Sequence, residues 1–127
     1  LRRSRSLILV LALAFSGCAA RPVHPGSANS FDSGAYDSLI VAHNIIETTK
    51  QQLSTSAGFP SNIAPAVRNA LSYLIDSYNV ADKAYIAYHE AALNGVATQT
   101  QADLVSASLA DVNTKTTALT AAKNGKL

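Results

Sequence analysis

Residues 67–92 read VRNALSYLIDSYNVADKAYIAYHEAA, and their apolar positions decide the fold. Val67, Leu71, Leu74, Tyr78, Ala81, Tyr85, Tyr88 and Ala92 follow one another at alternating steps of four and three. That spacing puts them on one face of an α-helix and matches the seam of a left-handed helical bundle. Ile75, Ile86 and Leu93 widen the stripe on one side, which predicts a helix that touches two neighbours. Pro65 is tolerated in the first turn, where its missing amide would have no helical partner, and Asn94-Gly95 closes the segment. The expected span is 63–94.

The same period recurs on both sides. Upstream, Tyr36, Leu39, His43, Ile46, Lys50 and Leu53 alternate at three and four, with Gly58 and Pro60 as the stop. Asp32 has the chemistry of a helix cap, and Phe31 is placed to pack on Tyr36, so the first helix is expected over 33–56. Downstream, Ala102, Val105, Leu109, Val112, Thr116 and Leu119 form the third stripe, over 98–123. Thr98 and Gln101 have capping-box form there, and Asn124-Gly125 supplies the stop. Short connections between long helices predict antiparallel neighbours. The expected architecture is therefore all-α: an antiparallel up-down-up three-helix bundle with coiled-coil-like packing over 31–127. Residues between the stripes do not match, so the shared period carries no sign of an internal repeat.

The segment before the bundle has a different composition. Leu1 to Ser6 carries Arg2, Arg3 and Arg5, Leu7 to Phe15 (LILVLALAF) is an unbroken apolar run, and Ser16-Gly17-Cys18-Ala19 follows with small residues. This is the three-part layout of a secretory signal, and the run is far short of the ~20 apolar residues of a transmembrane helix. The segment Phe15-Ser16-Gly17-Cys18 resembles the lipobox of small bacterial lipoproteins, with Phe15 where that family usually has Leu. The resemblance implies a signal peptide over 1–17, cleavage before Cys18, and acyl chains on Cys18 that anchor the protein to a membrane. It further implies a place in the cell envelope, with Ala19 after the cysteine pointing to the periplasmic face of the outer membrane in a two-membrane bacterium. Residues 18–30 (CAARPVHPGSANS), with Pro22, Pro25 and Gly26, read as the lipidated N-terminus and a disordered tether. As a flexible coil of ~12 residues it would reach at most ~40 Å.

Charge narrows the choice of partner. The formal charge of +2 rests on the leader: without its three arginines the Lys and Arg count falls from 10 to 7 against 8 acidic residues, near −1. That excludes the basic patch a nucleic-acid binder needs. A single cysteine excludes an internal disulfide framework and a multi-cysteine zinc site. His43 and Glu47 share a helix face and His89-Glu90 lies on the second helix, but the Glu-x-x-His pairs of carboxylate metal bundles are absent. His43 is expected in the seam and His89 in solvent. No nucleophile elbow, glycine-rich phosphate loop or other catalytic signature is found, so no catalytic residues, metal or cofactor are assigned. Two function classes remain. One is a lipid-anchored, non-enzymatic helical envelope protein with a structural or protein-association role, including self-association. The other is an envelope binder of a sugar or small ligand, using the tyrosines of the second helix: Tyr73, Tyr78, Tyr85 and Tyr88. Val41 and Ile45, roughly opposite the first stripe, suggest either that the first helix lies centrally or that it meets a second partner.

Overall fold

A computed structural model describes residues 23–55 and 58–126 of the chain. Three helices account for most of them: α1 (Ser30–Ser54), α2 (Ala64–Leu93) and α3 (Gln99–Lys123), with no strand among the described residues. The chain is all-helical and the helices pack on one another.

The seam of α2 forms as its spacing requires. Val67, Leu71, Leu74, Ala81, Tyr85 and Tyr88 are buried, and Tyr78 and Ala92 are half-buried beside them. Ala70 and Ser77 join the buried set. Leu74 and Val67 are wholly inaccessible to solvent. The α2–α3 interface is the most extensive, and α1 lies against both partners with smaller ones, so α2 rather than α1 takes the central place. Ser77 is buried at little cost, because its hydroxyl donates to Asp111 Oδ2 across the α2–α3 interface at 2.6 Å. Ile86 and Leu93, expected to broaden the stripe, face outward instead; only Ile75 of the three is partly covered.

Helix α3 also follows its pattern. Val105, Val112 and Leu119 are buried, and Ala102, Leu109 and Thr116 are partly so. Its capping box is complete: the Thr98 hydroxyl accepts from the Gln101 amide and the Gln101 side chain accepts from the Thr98 amide. The turn from α2 uses Gly95 at φ +70, a left-handed conformation that glycine adopts without steric penalty.

Helix α1 departs from expectation in two ways. It starts at Ser30 rather than residue 33, and its cap is Asn29, whose side-chain oxygen accepts from the Asp32 amide at 2.9 Å. Phe31 thus falls inside the first turn and packs edge-on against Tyr88, with ring centroids 5.0 Å apart, instead of stapling Tyr36. The buried face is also shifted by about one residue, to Ala35, Leu39, Ala42, Ile46 and Thr49, leaving Tyr36, His43 and Lys50 exposed. Small residues at 35 and 42 let α1 approach closely, and Thr49 satisfies its hydroxyl by donating to the Ile45 carbonyl at 2.8 Å.

This arrangement separates core from surface on α2. Leu74→Ala is expected to cost about 3 kcal/mol, from lost apolar transfer and the cavity left behind. Ile86→Ala should stay within about 0.5 kcal/mol of the parent. Urea unfolding followed by circular dichroism measures both, and equal losses would refute the outward placement of Ile86.

Candidate functional site

Residues 23–29, read from sequence as part of a disordered tether, fold back as a strap along the start of α1. Pro25-Gly26 forms a turn, with Gly26 at φ +87 and the Ser27 amide donating to the His24 carbonyl at 3.0 Å. The His24 amide donates to Ser33 Oγ at 3.1 Å, and His24 Nε2 lies 2.6 Å from Asp37 Oδ1. The Ala28 amide donates to Asp32 Oδ2 at 2.7 Å, and Asn29 Nδ2 donates to the Tyr88 hydroxyl at 3.0 Å. The strap is thereby tied to both α1 and α2.

Asp32 is the hub of these ties. Its side chain is wholly buried, and Oδ2 also faces His89 Nδ1 at 2.7 Å. A carboxylate only accepts, so His89 donates through Nδ1 and keeps Nε2 for another partner. Oδ1 of Asp32 is buried and has no hydrogen-bond partner among the described residues. Burial, followed by the neighbouring Asp32 carboxylate, pushes the Tyr85 phenol well above its ordinary value, so it holds its proton.

Above this hub lies an open cleft of about 530 Å³. The strap residues His24 to Ser27 form one wall; Tyr36 of α1 and Tyr85 and His89 of α2 form the other. Its rings are in mutual contact: His24 meets Tyr36 edge-on at 6.0 Å, Tyr36 tilts toward Tyr85 at 6.3 Å, and Tyr85 stacks on His89 at 5.6 Å. The cleft presents aromatic faces together with imidazole, phenol and hydroxyl groups, which suits a small polar molecule with an apolar ring face.

The sequence candidates are dispersed. Tyr85 lines the cleft, Tyr88 is buried beside Phe31 and Asn29, Tyr78 lies 6.1 Å from the exposed His43 ring, and Tyr73 is exposed. Glu47 pairs with Lys50 at 3.0 Å, and His89, expected in solvent, is tied to Asp32. Among the described residues no three His, Cys, Asp or Glu side chains converge as metal ligands. Cys18 lies outside the described residues. No local spacing marks His24, Asp32 and Asp37 as a cluster. The available signal is His24-Pro25-Gly26, with Asp32 and Asp37 about one and two strap-lengths further on. Compared with known proteins, the chain matches no family model, no curated sequence and no solved structure.

The hub makes a graded prediction. Asp32→Ala strands the Ala28 amide and the His89 ring and should destabilise the fold by about 2–3 kcal/mol. Asp37→Ala, acting on a solvent-exposed pair, should cost less than about 1 kcal/mol. Comparable small losses in denaturant titrations of both variants would show that Asp32 is not the hub.

Proposed function

We propose that this chain is the precursor of a lipid-anchored, non-enzymatic helical protein of the bacterial cell envelope, with a structural or protein-association role. The observation that carries this reading is the succession of Arg2, Arg3 and Arg5, the apolar run Leu7 to Phe15, and the lipobox-like segment ending at Cys18. Two or more acyl chains on one cysteine hold a protein stably, whereas a single chain binds only marginally. Among the described residues no helix is long and apolar enough to cross a membrane, which is in keeping with attachment through Cys18. In a two-membrane bacterium the reading places the protein on the periplasmic face of the outer membrane.

We infer that the three helices run up-down-up with coiled-coil-like packing. In support, Asp32 near the start of α1 meets His89 near the end of α2. A methyl group at Gly125, just beyond α3, would stand 3.4 Å from Ile63 Cδ1, just before α2. The four-three spacing of the α2 and α3 seams agrees with such packing.

A second reading is favoured by the cleft: the same anchored protein captures a small polar ligand such as a sugar. The helix 2 tyrosines enter it through Tyr85, joined by Tyr36, His24 and His89.

Two measurements test these readings. Metabolic labelling with a radioactive fatty acid should mark the protein, and Cys18→Ser should abolish both the label and recovery in the membrane fraction; retained labelling in the variant would end the anchor assignment. For the cleft, titration with a panel of monosaccharides should move the imidazole NMR signals of His24 and His89. Unmoved signals throughout the panel would remove the sugar reading.

A further inference from the structure

The cleft between the strap and the two helices is walled by aromatic rings and surrounded by negative charge. Neither lysine nor arginine lines it, and the chain carries none between Val23 and Thr49. Lys83 of α2 is exposed and stands two positions from Tyr85, which turns it to the other side of the helix. Carboxylates gather beneath and beside the rings instead. Asp32 lies wholly buried against His89, with its Oδ1 lone pairs unused among the described residues. Asp82 is half-buried, three residues before Tyr85 and seven before His89, so it shares their flank of α2. Among the described residues no cation pairs with Asp82. The phenols register this field. Burial, then the Asp32 carboxylate with a smaller contribution from Asp82, pushes Tyr85 up, and burial followed by Asp82 pushes Tyr78 up. His24 and His89 are each matched by a carboxylate, Asp37 and Asp32, so neither imidazole cancels Asp82.

We propose that the cleft takes an organic cation, an ammonium group carrying small alkyl substituents; the proposal rests on the reading of the cleft as a ligand site and names the class of ligand. Tyr36 leaves 45% of its surface open, and its ring and that of Tyr85 stand 6.3 Å apart with their planes inclined at 46°. A cation at the mouth of this V comes within the ~6 Å over which the negative face of an aromatic ring attracts it. An alkylated ammonium spreads its charge over apolar substituents and asks for no hydrogen bond, so ring faces and nearby carboxylates suffice to hold it. The cleft, about 530 Å³ and open, accepts such a group with room for a longer substituent. A neutral sugar would meet the same rings and hydroxyls but draw nothing from Asp82 or Asp32. The charge around the rings therefore selects the cation.

The test is isothermal titration calorimetry of the full chain in a non-ionic detergent with three probes. These are choline, its uncharged isostere in which a tert-butyl group replaces the trimethylammonium, and glucose. Choline is expected to bind roughly tenfold more tightly than either of the others. Tyr36→Leu should weaken choline by roughly tenfold while Tyr36→Phe, which keeps the ring face and loses only the hydroxyl, retains it. Asp82→Asn should weaken choline several-fold and leave the isostere unchanged. Equal affinity for choline and its isostere, or a preference for glucose, overturns the cation assignment and leaves the cleft as a ligand site. Undiminished choline binding in Tyr36→Leu, with helix content intact by circular dichroism, puts the cation elsewhere and also overturns it. Silence from all three probes defeats the ligand reading of the cleft, and the cation falls with it.

Discussion

Burial of the α2 seam is the constraint on which the structure depends. Eight positions spread over about six turns must leave water, and no single helix can cover them all. Helix α3 covers one flank and α1 the other, so α2 becomes the central element without being wrapped on all sides. Much of the core is Ala and Val, with Tyr supplying bulk near the end of α2. Such a core depends on close helix approach, which explains why Ala35, Ala42, Ala70 and Ala122 are buried. It also explains polar residues in the interface: Ser77, Ser108 and Thr49 are small enough for close approach, and the hydroxyls of Ser77 and Thr49 have partners, Asp111 across the interface and the Ile45 carbonyl within α1.

Legibility in the sequence followed the locality of the cause. The α2 and α3 stripes were readable because their bulky apolar residues and their seams coincide, and the α3 cap because Thr98 and Gln101 act only on each other. In α1 the largest residues are not the buried ones. Alanines at 35 and 42 form the face, while Tyr36 and His43 flank it, and a reading weighted by side-chain bulk selects the wrong phase by one residue. Asp32 shows the same limit more sharply. Locally it looks like a cap, but Asn29 takes that task, and the carboxylate is used by an amide four residues upstream and a histidine 57 residues downstream. A bond of the latter kind leaves no mark in local spacing.

The aromatic cleft arises from this long-range wiring. Tyr36 is free to line it because the α1 phase leaves Tyr36 off the core, and His89 is oriented because Asp32 occupies its Nδ1. The tyrosines of α2 consequently divide into different tasks: Tyr88 fills the interior, Tyr85 bridges interior and cleft, and Tyr73 meets solvent. Equivalent helical spacing gives them no equivalent surroundings, since each depth along α2 faces a different neighbour.

The strap is a part of the fold whose length is fixed by its bonds. Positions 24–29 act as a latch, where insertion of a residue would pull His24 away from Ser33 and Asp37 or Ala28 away from Asp32. A change of length between His24 and Asn29 is therefore bound to cost contacts in α1, although the segment belongs to no helix.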